Sequence, residues 1–531
     1  MLGKGRLAAG NQRGNDIPEP SAIPTYEFSS RLFQRLLGVV FLIAFVSWAV
    51  QADGLVGKAG IWPFSRMFPI FRQSLGSRAW RMLPSLLWLH PTDGFLHLLV
   101  WGGAALSLLP ILGFFPGPSF LGLWALYLSI ASAGGDFMNF QWDALLIETG
   151  FLAAFLAPWK PRLGRPGEGG PPRLALWLMW WLLFRLMLES GIVKLASGDP
   201  TWRNLTALGF HYETQPLPTW IGWYAAKLPE AFQRFSAACV FVIELGAPWL
   251  LFWPGWPRRI AALTIVGFQI LIGLTGNYCF FNLLTILLAL LCIDDALWQK
   301  FGLLPRAFAA AEAVPDPKKL EDWGRWRRAA GQRSVLGGAF AAFAIILFGL
   351  GAVQLVETAF EGAAPYLSYV QPLLDDAAPW RTVNHYGLFA VMTTVRREIE
   401  IEGSRDGKNW KPYVFKWKPD DVMRRPAFVE PYQPRLDWQM WFAALGPWRR
   451  SPWFLGFMGK ILEGNRDVLA LLGEDPFPES PPQYLRALIY EYRFTDRAER
   501  DATGAWWTRK LLGLYCPVLS LSKEAAKDDP S

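Results

Sequence analysis

Cysteine and histidine are scarce in this chain. Its 531 residues hold four of each, with no CxxC pair and no closely paired histidines. A disulfide framework, a dithiol redox centre and a zinc site are therefore not expected. The topology below leaves room for one link, Cys279–Cys516, with both residues on the same side of a membrane. The glycine-rich fingerprints of nucleotide and dinucleotide sites are missing, and so is a Gly-x-Ser-x-Gly elbow. No catalytic set, no metal and no cofactor is assigned on these grounds.

Apolar side chains are abundant. They make up 52% of the residues, with 29 tryptophans among them, and they are bunched into long runs. Such runs mark membrane spans, and tryptophan belongs to membrane interfaces and aromatic-lined bundles. The formal charge is +8. Most of the basic residues flank the apolar runs, so membrane topology accounts for them and nucleic acid is not expected as a partner.

Residues 1–30 carry Pro18, Pro20 and Pro24 among polar residues and read as a flexible tail with no cleavable leader. Apolar runs follow near 32–52, 94–110, 119–133, 142–158, 174–196, 231–253, 259–275, 279–293 and 335–357. The reading is an α-helical multi-pass membrane domain over 31–357 with about nine spans. Residues 61–89 mix aromatic and aliphatic side chains with Arg66, Arg72, Arg78 and Arg81, which suits either an interfacial amphipathic helix or a plain loop.

The segments 159–173, 254–259 and 294–334 are basic, with Lys160, Arg162, Arg165, Arg173, Arg258, Arg259, Lys318, Lys319, Arg325, Arg327 and Arg328. The alternate loops 134–141 and 276–278 hold no Lys or Arg, and 197–230 holds only Arg203 and Lys227. This asymmetry predicts a cytoplasmic N-terminus and an outer C-terminal part. The exception is 53–93, which is basic and would lie outside.

Beyond Glu357 the pattern changes. Glu398–Glu402 alternates as a half-exposed strand does, Arg405–Lys408 reads as a turn, and Tyr413–Trp417 reads as a returning strand. Helices are expected over Leu436–Leu445 and Phe454–Leu472, and a further strand over Arg486–Phe494. Residues 375–520 are taken as an extracytoplasmic α+β domain.

The stretch from Arg185 to Pro218 draws the most attention. Arg185, Glu189 and Lys194 sit in or at the end of an apolar run, where charge is costly. Arg185 and Glu189 share a helix face. With Glu148 and Glu244 of other runs they define a buried polar network, read either as a structural ion-pair lock or as the lining of a lipid- or client-facing cavity. Lys194 lies about 140° round the helix from Glu189. It is read as a snorkelling lysine, as a partner of Asp199 or Asp143, or as a general base. Asp136, Asn139, Asp143, Trp202, Tyr212 and Glu213 are placed in an outer vestibule. In the C-terminal part, Arg435, Asp437, Trp438 and Trp441 form an aromatic–polar cluster, read either as that domain's core or as a client-binding surface.

Five stretches carry a family resemblance: QWDALLIETGFLAAFLAP (141–158), FRLMLESGIVKLASGDPTW (184–202), HYETQPLPTW (211–220), LTGNYCFFNLLT (274–285) and PRLDWQMWFAAL (434–445). Together the chain resembles the lipase maturation factor family from about residue 30 to 515. The resemblance implies a multi-pass endoplasmic reticulum membrane protein with a large lumenal domain. It also implies a non-enzymatic, chaperone-like role in bringing secreted lipases to their active, assembled state, with the bilayer and a secreted lipase as partners. The chain departs from the animal pattern in its short polar N-terminus and in lacking an obvious C-terminal retention signal. In a bacterial member the membrane would be the cytoplasmic one. Separately, Gly191–Lys194 followed by Asp199 and Trp202 is similar to a segment of the vitamin K-dependent carboxylase membrane domain. That likeness implies the alternative of a membrane enzyme with an outer-leaflet site using Lys194 as base, with Asp199 and His211. A structural membrane scaffold is the third reading.

Overall fold

The computed structural model describes residues 25–164, 166–167, 170–308, 335–360 and 364–521. Residues 1–24 of the expected tail lie outside the described residues, as do Arg165, Lys318, Lys319, Arg325, Arg327 and Arg328.

The principal helices are, in order, α1 (Glu27–Ala49), α2 (Phe64–Leu75), α3 (Asp93–Leu112), α4 (Pro116–Ala133), α5 (Gln141–Leu156), α6 (Arg173–Ala196), α7 (Ala207–Thr214), α8 (Glu230–Phe241), α9 (Trp256–Thr275), α10 (Phe281–Leu290) and α11 (Val335–Ala359). Five of these are long and apolar enough to cross a membrane: α1, α3, α6, α9 and residues Gly338–Ala359 of α11. The expected count of about nine is thus not confirmed among the described residues. At ~1.5 Å per residue, α5 and α10 reach only roughly 24 and 15 Å, against ~30 Å of hydrocarbon. The run at 231–253 is helical without a break from Glu230 to Leu250, with a π-helical turn at Val242–Gly246 inside it.

Glycine brings α1 and α3 together. A Cβ on Gly103 would lie 2.3 Å from the Phe45 ring, and one on Gly38 would lie 3.1 Å from the Ser107 carbonyl oxygen. Close backbone approach at small residues is a common way to pack helices in a bilayer, where apolar burial offers no net drive. The 61–89 segment forms α2 and then short turns. Phe64 and Phe68 are buried on one face, while Arg66 and Arg72 are exposed. This is the amphipathic pattern of the first of its two readings.

The C-terminal part contains helices α12 (Arg435–Ala444) and α13 (Pro452–Leu462) and one antiparallel five-stranded sheet. Its strands are β1 (Arg396–Ser404), β2 (Lys411–Phe415), β3 (Leu472–Glu474), β4 (Tyr484–Phe494) and β5 (Trp507–Leu519), in the order β3-β2-β1-β4-β5. The β1–β2 turn is closed by Asp406, whose carboxylate accepts from the amides of Lys408 and Asn409 at 2.8 Å each. Strands β1 and β4 pair in register with Ile399 opposite Ile489. The helix expected over Phe454–Leu472 is interrupted: Gly464 takes φ +67° and Asn465 caps a new short turn through the Val468 amide.

One apolar core runs through both parts. It joins Phe33, Leu37 and Phe41 of α1 to Ile399, Ile401, Leu485 and Phe457 of the sheet and α13. All four cysteines are free thiols, so Cys279 and Cys516 are not linked.

Candidate functional site

The residues singled out from sequence meet mostly where the helices receive the C-terminal part. Arg185 of α6 pairs with Glu148 of α5, both almost fully buried. Glu148 Oε2 also accepts from the Asn384 amide (3.0 Å), Asn384 Nδ2 (2.9 Å) and the Tyr386 hydroxyl (2.8 Å). Arg185 Nη1 donates to the Asn384 carbonyl at 3.0 Å. Glu189, one turn along α6, accepts from the Tyr386 amide at 2.7 Å. Gln141 takes the Gly387 amide at 3.1 Å. Further on, Asp199 accepts from the amides of Met392 and Thr201, and Trp202 Nε1 donates to the Phe389 carbonyl at 2.9 Å. Burial alone would raise the Asp199 carboxyl, but the Met392 and Thr201 amides outweigh it and hold it below its ordinary value. These groups pin residues 384–392, the connection into β1.

A second cluster lies at Asp143. Arg435 at the start of α12 grips both Asp143 oxygens at 2.8 Å, and neither side chain is exposed. Tyr127 donates to Asp143 at 2.6 Å, Arg435 reaches the Phe137 carbonyl at 2.6 Å, and its guanidinium lies 5.2 Å from the Trp48 ring. Gln51 completes the joint by accepting from the Arg435 amide and donating to the Gln433 carbonyl. A third contact is Glu213, whose carboxylate accepts from the Phe494 amide at 2.9 Å and whose carbonyl accepts from Arg396 at 2.8 Å. Burial raises the Glu213 carboxyl.

Several expectations change in this light. The four-membered network of Glu148, Arg185, Glu189 and Glu244 is two sites. Glu244 belongs with Lys194, whose Nζ lies 2.9 Å from Glu244 Oε2 and 2.9 Å from the Ser190 carbonyl. Lys194 is therefore neither snorkelling nor paired with Asp199 or Asp143; it is buried, with its Nζ 5.3 Å from the Trp202 ring centroid. The outer vestibule also divides. Asp136 and Asn139 line an open polar cleft of about 1040 Å³ with Arg78, Arg81, Asp376 and Arg381. Trp202 and Tyr212 line a separate apolar cavity of about 520 Å³ together with Lys194, His211 and Glu244. Asp143 and Glu213 line neither of these two, being spent on the joints described above. Asp199 is absent from the cavity wall, so the trio Lys194, Asp199 and His211 does not converge there.

The C-terminal cluster is core rather than client-facing surface. Trp438 is 4% exposed and Trp441 7%. Trp438 packs edge-on to Trp142 at 4.7 Å, and Trp441 Nε1 donates to the Thr214 carbonyl at 2.9 Å. Asp437 accepts from the amides of Trp417 and Lys418, and burial pushes it up to about 6 against the pull of those two amides. Among the described residues no three His, Cys, Asp or Glu side chains gather as a metal site would require.

Sequence reading missed the partners on the receiving side. Asn384 and Tyr386 had no charge or periodicity to mark them. Asn277, which accepts from the Val429 amide and donates to the Ala427 carbonyl, sat inside a quoted motif without a role.

Residues 28–300 match the lipase maturation factor transmembrane domain and residues 382–517 match the lipase maturation factor C-terminal domain. The chain is 36% identical to lipase maturation factor 2 of Xenopus laevis, over 93% of this chain and 82% of that protein. The chain belongs to the lipase maturation factor family. Lipase maturation factor 1 of Mus musculus is 32% identical over 95% of this chain and 89% of its own length, and human lipase maturation factor 2 is 34% identical over 92% and 82%. No solved structure matches. The two matched domains of this lipase maturation factor family member meet at the Glu148, Asp143 and Glu213 joints.

Proposed function

We propose that this protein is a membrane-embedded, non-enzymatic maturation factor that helps secreted lipases reach their active state. The observation that carries the reading is likeness to lipase maturation factors along nine-tenths of the chain. The loop charges support a cytoplasmic N-terminal side and an outer 375–520 part, lumenal if the membrane is that of the endoplasmic reticulum.

With Trp438 and Trp441 buried, client contact falls to another surface. Strand β5 is the edge of the sheet, and it exposes Leu511 (53%), Leu514 (56%) and Val518 (51%). An apolar edge offers unpaired backbone groups and greasy side chains to an incompletely folded chain. In this reading β5 holds the client while the helices anchor it.

The test is the activity per mass of a co-expressed secreted lipase in cells lacking this protein. Wild type should restore it, whereas Leu511→Asp/Leu514→Asp, present at wild-type level in the membrane, should restore less than about a tenth. Full rescue by the double variant would remove β5 from the mechanism. No rescue by wild type across the host's secreted lipases would overturn the function itself.

A further inference from the structure

The cavity beside Lys194 has a wall that its own residues do not satisfy. Its apolar lining includes Phe232 and Phe235 from α8 and Phe268 and Leu271 from α9. Phe235 and Leu271 are 65% and 63% exposed, so the mouth opens on the side of the bundle, next to a helix able to cross the bilayer. Its volume, about 520 Å³, falls in the ~300–1,000 Å³ range of ligand sites.

Two side chains of this wall, His211 and Gln269, each hold a buried polar atom without a hydrogen-bond partner among the described residues, Nδ1 and Oε1, while Glu244 Oε2 is met only by the Lys194 ammonium at 2.9 Å. Their chemistry can be worked out from their neighbours. Gln215 Nε2 donates to the carbonyls of Thr275 (2.8 Å) and Tyr212 (3.2 Å), which fixes its Oε1 as an acceptor. Tyr278 donates its one proton to that oxygen at 2.7 Å. The 3.1 Å contact between the Tyr278 oxygen and His211 Nε2 must then be supplied by an Nε2 proton. Burial, aided by the Lys194 charge, drives the His211 pKa down to about 4, so the ring is neutral and Nδ1 is a bare acceptor. Gln269 is 4% exposed, and its amide nitrogen touches only Met187 Sδ, at 4.0 Å. Buried acceptors left unpaired cost ~1–3 kcal/mol each, so the wall favours a ligand that brings a hydrogen-bond donor.

We propose that this cavity binds a membrane lipid carrying a free hydroxyl, with its hydrocarbon part between α8 and α9 and its hydroxyl on His211 and Gln269. A hydroxyl both donates and accepts, so it also serves a rotated Gln269 amide. An ester or hydrocarbon end would leave the His211 acceptor bare. This inference stands apart from the client reading and holds or fails without a lipase.

The experiment uses the full-length protein in phosphatidylcholine vesicles with two photoactivatable probes, a monoacylglycerol and a sterol, and maps the adducts by mass spectrometry. Labelling should fall on residues 228–244 and 268–275. It should be displaced by unlabelled monoacylglycerol or sterol, but at least tenfold less well by the methyl ester of the same fatty acid. His211→Phe and Gln269→Leu should each reduce labelling about tenfold, and Cys239→Trp, which fills the cavity, should abolish it. An unchanged melting temperature in these variants separates loss of binding from loss of fold. Preference for one probe identifies the lipid class. Equal displacement by the methyl ester, or full labelling of both polar variants, would overturn the proposal.

Discussion

Two regions of this molecule put polar groups in apolar surroundings, and they differ in what meets those groups. At the joints between helices and sheet, each carboxylate has found amides or a guanidinium of the other part: Glu148, Glu189, Asp143, Asp199 and Glu213 all accept from residues of the C-terminal half. In the cavity between α8 and α9, His211 and Gln269 each keep an acceptor without a partner. Unusual charge inside the membrane domain therefore marks both kinds of place, since Arg185 and Glu148 belong to a joint while Lys194 and Glu244 line the cavity. Pairing is not total at the joints either, since Glu189 Oε1, Arg185 Nε and Arg435 Nε lack partners; what sets His211 and Gln269 apart is that their side chains line a space a ligand can fill.

The comparison breaks most visibly at Asp143. Asp143→Leu strands Arg435 in a fully buried site and should destabilise the protein by about 3–5 kcal/mol. Asp143→Leu/Arg435→Met should recover most of that loss, since the double change leaves no uncompensated charge. Thermal unfolding in detergent measures both. A double variant no better than the single one would mean that the pair contributes more than mutual neutralisation.

His211 provides a test of intermediate size. Its folded pKa of about 4 lies below the ordinary 6.5, so between these values the unfolded chain binds more protons. Its contribution is whole above pH ~6.5 and declines as the pH falls to about 4, by up to about 3 kcal/mol. His211→Phe should flatten the acid limb of a plot of melting temperature against pH, and an unchanged limb would show that other groups carry it. The smallest effect is expected at Gln269. Gln269→Leu removes an unpaired acceptor and should change stability by less than about 1 kcal/mol, or raise it. A loss of several kcal/mol would place Gln269 with the joints rather than with the cavity.

Much of the fold was legible in the sequence because its signals are local. The expected strands at 398–402, 413–417 and 486–494 overlap β1, β2 and β4, and the expected helix at Leu436–Leu445 nearly coincides with α12. Strand β5 was overlooked because Gly513 and Pro517 interrupt its pattern. Both are tolerated where pairing with β4 is already irregular and one side of the strand faces no neighbour. The span count of about nine is not confirmed, because hydropathy marks apolar runs without registering how long each helix is. For the site, the sequence marked which residues were unusual but not what they meet. Asp143 and Arg435 are 292 positions apart, and Lys194 and Glu244 are 50 apart. Trp438 and Trp441 show the same gap: an aromatic cluster reads alike whether it is core or surface.

The connection at 384–392 carries one more consequence. It is held chiefly through its own backbone, by the amides of Asn384, Tyr386, Gly387 and Met392 and the carbonyls of Asn384 and Phe389. Such a fastening counts residues more than it reads them. The side chains of His385, Leu388 and Ala390 make none of these bonds, although Leu388 packs against the core and lines the cavity. A gain or loss of a single residue would put every downstream amide opposite the wrong acceptor. The length of this connection therefore matters more to the fastening than the identity of the side chains that stay out of it.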